Sequence, residues 1–250
     1  MAGGALLGRL SWRLGRVAEV RLETPRVASL LLDVPGWEGH LPGQHVDVRL
    51  TAEDGYQAER SYSIASAPDG GRVELAVERI DDGEVSPYLA GEVRAGDQFE
   101  LRGPIGGYFV WQPGLGGPLL LVAGGSGVVP LLAMLRHRSA TGSSTPARLL
   151  YSSRSFEDVI YRRELERLVA AGDGVAVTHT LTRAQPPGWE GYDRRIDAAM
   201  LKEVGWPPGE RPLVYVCGPT RLVEAVADDL VALGHDPDLV RTERFGPTGV

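Results

Sequence analysis

Leu119-Leu120-Leu121-Val122-Ala123, then Gly124-Gly125-Ser126-Gly127, then Val128-Val129-Pro130 reads as a buried strand, a glycine turn and the start of a helix. Glycine lets the backbone turn sharply and come close to a ligand, while a helix N-terminus offers free N–H groups and a partial positive charge. The turn therefore suits the pyrophosphate of a dinucleotide, although glycine turns before helices also occur simply as packing devices. Pro130 stands where the common dinucleotide fingerprint has a third small residue, and proline is at home in a first helical turn.

Outward from this turn, two rhythms divide the chain. Downstream, apolar strands alternate with segments of helical period: Ala147–Ser152 leads into Asp158–Ala171, Val175–Leu181 follows, and Leu213–Cys217 leads into Leu222–Leu233. With Leu119–Ala123 and the amphipathic helix expected over Val129–His137, this predicts a parallel α/β domain. Upstream the runs are short and alternating or β-branched, at Val17–Leu22, Val27–Val34, His45–Leu50, Ser61–Ala65, Val73–Ile80 and Gln98–Leu101. That pattern predicts an antiparallel barrel or sandwich. Neither rhythm holds from Tyr108 to Gly117, so the expected domains are residues 1–112, an antiparallel β-barrel, and 113–250, an α/β parallel-sheet domain.

Composition narrows the function. A length of 250 residues suits two cores, and 43% hydrophobic with 24% charged residues is the balance of a globular protein. A net charge of -7 argues against non-specific binding to nucleic acid or to an anionic membrane. No apolar run approaches the roughly 20 residues of a bilayer span, and Arg9 and Arg13 interrupt the N-terminal apolar stretch, so no signal peptide is read and a cytoplasmic protein is expected. Cys217 is the only cysteine, too few for an iron–sulfur cluster, and the five histidines show no metal-ligand spacing. No metal site is expected.

One small domain before the glycine turn stands Arg60-Ser61-Tyr62-Ser63-Ile64-Ala65-Ser66. With Pro42-Gly43-Gln44, Gly103-Pro104 and Gly106, Gly125–Pro130, Cys217-Gly218-Pro219 and Glu243-Arg244-Phe245, in this order, the chain resembles the ferredoxin-NADP reductase family over nearly its full length. The resemblance implies a flavin-binding barrel followed by an NADP-binding domain, with the flavin at their junction. It implies that Arg60 binds the flavin phosphate, that Tyr62 stacks on the isoalloxazine and that Ser63 bonds near flavin N5, with Ser61 in the same stretch. Their chemistry agrees, since Arg is a planar fork for phosphate, Tyr offers a flat face and Ser both donates and accepts. Without the other motifs, Arg60 would read as an exposed strand residue and Tyr62 as a core aromatic. Gly83, Val85 and Ser86 match the helix start around which the family wraps the flavin pyrophosphate, which implies FAD over FMN.

The resemblance further implies that Gly125, Ser126, Gly127 and Pro130 cradle the nicotinamide dinucleotide, with Gly218 and Pro219 beside it. Cys217 then lies next to the nicotinamide ring as an aligning residue; no activating histidine motif accompanies it, so it is not read as a nucleophile. Glu243 and Phe245 match a carboxylate and an aromatic ring held against the flavin. Gly246–Val250 continue past that ring, unlike members that end there, which bears on how freely Phe245 can move aside. A 2'-phosphate needs extra cations and hydroxyls. Thr182, Arg183 and Arg195 match the family's 2'-phosphate residues, Arg154 ends the preceding strand, and NADPH is expected ahead of NADH. The implied reaction carries hydride from NADPH to FAD and electrons onward to a ferredoxin-like carrier or an oxygenase component. Rival readings are a reductase using NADH or serving free flavin, and a non-enzymatic nucleotide-sensing or electron-transfer subunit.

Overall fold

The computed structural model describes residues 10–68 and 71–246. Arg9 with the rest of residues 1–9, and positions 247–250 of the C-terminal extension, lie outside them.

The N-terminal half builds one six-stranded antiparallel sheet from β1 (Arg13–Thr24), β2 (Val27–Asp33), β3 (His45–Thr51), β4 (Gln57–Ser63), β5 (Arg72–Glu78) and β6 (Gln98–Ile105), in the order β4-β3-β6-β1-β2-β5. A short helix, α1 (Ser86–Gly91), lies between β5 and β6. The sheet curls until its two edges meet. Ile64, just past β4, bridges to Leu75 of β5, and the Ala65 N–H donates to the Glu74 carbonyl at 2.7 Å. Closure removes two exposed edges and encloses a core of Leu30, Leu32, Val46, Val48, Leu75 and Leu101.

The second half is a five-stranded parallel sheet of β7 (Leu119–Gly124), β8 (Ala147–Ser155), β9 (Val175–Ala184), β10 (Leu213–Pro219) and β11 (Val240–Phe245), ordered β11-β10-β7-β8-β9. Its helices are α2 (Val128–Ala140), α3 (Arg162–Ala170), α4 (Ala198–Val204) and α5 (Thr220–Ala232). Central β7 is buried at every position, as a strand covered on both faces must be. From β7 the chain winds to β8 and β9 on one side, then returns to β10 and β11 on the other. The C-terminal ends of β7 and β10 are therefore the switch point of the sheet, where open α/β folds hold their ligands.

Three local readings change. Helix α2 is not amphipathic, because Val128–Leu135 are all buried between the parallel sheet and the barrel. In one continuous core its Val128, Val129 and Leu132 join Val27, Ala65 and Ala76 of the barrel and Trp111 of the connecting segment. Helix α3 starts at Arg162 rather than near Asp158, since Tyr161 ahead of it takes a left-handed conformation (φ 57°). Two elements, α4 and β11, stand where the sequence shows neither a helical nor a strand rhythm.

Candidate functional site

The glycine turn sits at the switch point. Gly125–Gly127 form one 3-10 turn that runs into α2, with Pro130 buried in the first turn of that helix. Gly127 lies against the end of β10: a Cβ there would be 2.1 Å from the Cys217 carbonyl oxygen, so only glycine permits this approach. Gly125 has φ +54°, and a Cβ there would meet nothing within 4 Å, which leaves an open cradle over the turn. Around it runs a cleft of about 250 Å³ lined by Gly125, Ser126, Arg154, Thr182, Pro219 and Phe245 from the α/β domain. Thr24, Arg26 and Glu78 of the barrel form the facing wall. An open cradle at a helix N-terminus, with hydroxyls and arginines beside it, fits a dinucleotide pyrophosphate. The barrel wall carried no motif. Glu78, whose carboxylate accepts from Ser126 Oγ at 2.9 Å, reads in the sequence as an ordinary strand residue.

Two positions before the cleft residues Pro219 and Phe245, three residues meet from distant parts of the chain. Parallel pairing sets Cys217 opposite Glu243 and Pro219 opposite Phe245. From the end of β4, Ser63 Oγ donates to Glu243 Oε1 at 3.5 Å. Burial pushes the Glu243 carboxyl up to about 7, with the Ser63 bond pulling the other way. Burial also raises the Cys217 thiol well above its usual range, and Glu243 adds to it. A thiol held protonated is a poor nucleophile, so Cys217 offers a buried packing group here.

The Arg60 stretch lies on β4. Its guanidinium donates to Glu84 Oε2 at 2.6 Å, and Tyr56 donates to the other oxygen of Glu84 at 2.5 Å. Tyr62 packs against the barrel core, and burial pushes its phenol up to about 12. Ser61 Oγ donates to Asp47 at 2.7 Å. Gly83, Val85 and Ser86 form the turn into α1, where Ser86 Oγ accepts from the Ile80 N–H at 3.1 Å instead of capping the helix. Arg60 and Glu84 therefore join the two segments expected to hold FAD. A cation for phosphate, a flat phenol and a hydroxyl in succession on one strand fit a flavin.

Thr182, near the end of β9, donates to the Ser153 carbonyl at 3.2 Å. Arg154 lines the cleft, while Arg183 and Arg195 are exposed nearby in the chain, on β9 and on the loop before α4. Among the described residues all three lack an ion pair, whereas Arg194 is held by Asp197 at 2.8 Å.

Relatives agree with this architecture. The oxidoreductase FAD-binding domain family matches residues 16–110, and the oxidoreductase NAD-binding domain family matches 121–228. A ferredoxin-NADP reductase B of Sorangium cellulosum is 36% identical over 219 residues, covering 85% of this chain and 88% of that protein. An NADH-cytochrome b5 reductase 1 of Aspergillus terreus is 31% identical over 227 residues, 88% of this chain and 73% of that one. The reductase component of a Mycolicibacterium goodii propane 2-monooxygenase is 30% identical over 240 residues, and the match spans 92% of this chain and 66% of that protein. The FAD/NAD-binding domain of a Vibrio cholerae nitric oxide dioxygenase superposes with a TM-score of 0.84 at 27% identity, over 94% of this chain and 99% of that chain. The chain belongs to the ferredoxin-NADP reductase family of FAD- and NAD-binding oxidoreductases. Among the described residues no helix is long and apolar enough to cross a membrane.

Proposed function

We propose that this oxidoreductase takes hydride from NADPH onto FAD and passes electrons to a separate ferredoxin-like carrier or oxygenase component. The observation that carries the cofactor choice is Arg154 and Thr182 in the cleft beside the cradle, with Arg183 next to Thr182 in sequence and Arg195 on the loop before α4, none of the three arginines having an ion pair among the described residues. An arginine without a carboxylate partner is available to a 2'-phosphate, and Thr182 adds a hydroxyl. Bound FAD and nicotinamide would supply the hydride chemistry itself. The chain's own part is to hold them. Arg60 would grip the flavin phosphate, Gly83, Val85 and Ser86 would shape the turn beside it, and Tyr62 would lie along the ring. Gly125–Gly127, Pro130, Gly218 and Pro219 would seat the second dinucleotide, and Phe245 would cover the flavin. Ser63, Cys217 and Glu243 would align the rings, with Glu243 able to hold a proton at neutral pH.

The one cysteine of these residues is too few for an iron–sulfur cluster, so the reading places the one-electron carrier outside them. The names of the relatives support both a ferredoxin and an oxygenase component in that role. We set the boundary between the cofactor domains near residue 112, between β6 and β7. The test is anaerobic titration of the FAD-loaded protein with NADPH and NADH, followed by turnover with a ferredoxin and with free flavin. Equal efficiency with both nucleotides would remove the NADPH assignment, and turnover with free flavin alone would remove the protein partner.

A further inference from the structure

Helix α2 runs apolar from the glycine turn to Leu135 and then presents Arg136, whose side chain is only 15% exposed. This arginine reaches out of its own domain. Nη1 donates to the Ala65 carbonyl at 2.9 Å and lies 3.2 Å from Glu74 Oε1. Nε and Nη2 each donate to one oxygen of Glu164 at 2.7 Å, anchoring the group on α3. Ala65 and Glu74 are the pair that closes the barrel, and Ala65 stands two positions beyond Ser63.

Tyr161 supplies an independent observation. It adopts a left-handed backbone conformation, which a residue with a Cβ keeps only where its surroundings impose it. Its ring is buried beneath the Arg136 guanidinium, 4.9 Å from centroid to carbon. Its hydroxyl donates to Glu74 Oε1 at 2.8 Å and accepts from Ser29 Oγ of β2 at 2.8 Å. Glu74, with its side chain 8% exposed, is thus held by Arg136, Tyr161 and, at 3.2 Å, Arg21. Buried charges that are fully paired fix one geometry, because any displacement strands a carboxylate or guanidinium away from water.

We propose that Arg136 and Tyr161 form a strut that sets the distance between the glycine turn and the flavin-facing end of β4, making Arg136 a positioning residue for hydride transfer. The inference rests on the NAD(P)H-to-FAD reading above. Neither residue lines the cleft. The lever is α2 itself, which carries Arg136 about 12 Å along its axis from Val128 at a rise of about 1.5 Å per residue. A shift at the strut moves the nucleotide cradle against the flavin residues, and a misplacement of about 1 Å costs on the order of a hundredfold in rate.

The experiment compares FAD-loaded wild type, Arg136→Met and Tyr161→Phe. Hydrogen exchange is followed without nucleotide, and hydride transfer by stopped flow. The strut requires faster amide exchange at Ala65 and across Val128–Leu131 in both variants, with β8 unchanged. It also requires hydride transfer slowed by roughly tenfold to a hundredfold at an NADPH dissociation constant close to that of wild type. Should Arg136→Met fail to fold, Tyr161→Phe carries the test, since it keeps the ring and removes only the hydroxyl. Wild-type exchange and wild-type rates in Tyr161→Phe would overturn the strut, as would a rate loss that merely follows lost FAD. A wild-type protein whose flavin neither nucleotide reduces would instead sink the functional reading and the strut with it.

Discussion

Ser63 Oγ donates to Glu243 Oε1 at 3.5 Å, joining the end of β4 to β11 across 180 positions of chain. This bond brings a hydroxyl of the flavin domain against a carboxyl whose pKa burial raises from 4.5 to about 7. Hydride transfer is therefore expected to show an ionisation near pH 7 that Glu243→Gln abolishes. Stability follows the same group. A carboxyl raised on folding contributes most below its unfolded value of 4.5, and that contribution is lost as pH rises through about 7. Wild type should thus lose more stability than Glu243→Gln between pH 4.5 and pH 7. Thermal melts and single-turnover rates across this range check both; parallel pH profiles for the two proteins would remove Glu243 from the mechanism.

Arg60 predicts how firmly FAD is held. Its pair with Glu84 is about half exposed on both sides, and such pairs contribute only about 0.2–1 kcal/mol. A charge-assisted phosphate contact contributes about 1.5–3 kcal/mol, so a flavin phosphate bound at Arg60 would displace Glu84. Arg60→Ala should weaken FAD binding by roughly tenfold to a hundredfold, while Glu84→Gln should leave it equal or slightly tighter. The ratio of flavin to protein absorbance after gel filtration measures this, and full retention by Arg60→Ala would refute the contact.

The turn at Gly127 makes a steric prediction. In Gly127→Ala the new Cβ would press on the carbonyl of Cys217 at 2.1 Å, and backbone on both sides leaves little room to relax. Overpacking of this kind costs about 1–3 kcal/mol, expected as a lower Tm together with weaker nucleotide binding. Gly114→Ala, which meets nothing within 4 Å, is the matched control and should behave as wild type. Equal melting temperatures for the two variants would show that the turn can shift.

Much of this architecture is written in residues whose backbone consequences are local. The all-apolar β7 and the glycines after it declare a central parallel strand and its turn, because few other structures use that composition. Strand β11 escapes because it is Val-Arg-Thr-Glu-Arg-Phe, an edge strand paired only with β10 and with little of it buried. The burial of α2 on all sides escapes because its second neighbour is the barrel, which no periodicity within the helix reports. Arg136 and Glu78 stand beside other charged residues at the ends of apolar runs, and the partners that carry them across to the other domain, Ala65 and Ser126, lie 71 and 48 positions away. The motif residues around the cradle are legible one by one; the wall that faces them is a product of packing.

Cofactor choice is tested by the double change Arg183→Ala with Arg195→Ala, assayed with both nucleotides. Neither arginine has an ion pair among the described residues, so their removal strands no carboxylate and should leave the fold intact. If they hold the 2'-phosphate, the loss falls on NADPH, because NADH never makes those contacts. Two charge-assisted contacts at about 1.5–3 kcal/mol each correspond to a discrimination change on the order of a hundredfold or more, reduced where water and salt screen the exposed side chains. The ratio of kcat/KM for NADPH to that for NADH should fall accordingly, and the salt dependence of NADPH binding should flatten. Solvated loop arginines would instead leave the ratio where it was. Equal losses with both nucleotides would point to damage at the shared cradle, and the 2'-phosphate reading would then rest on Thr182 and Arg154 alone.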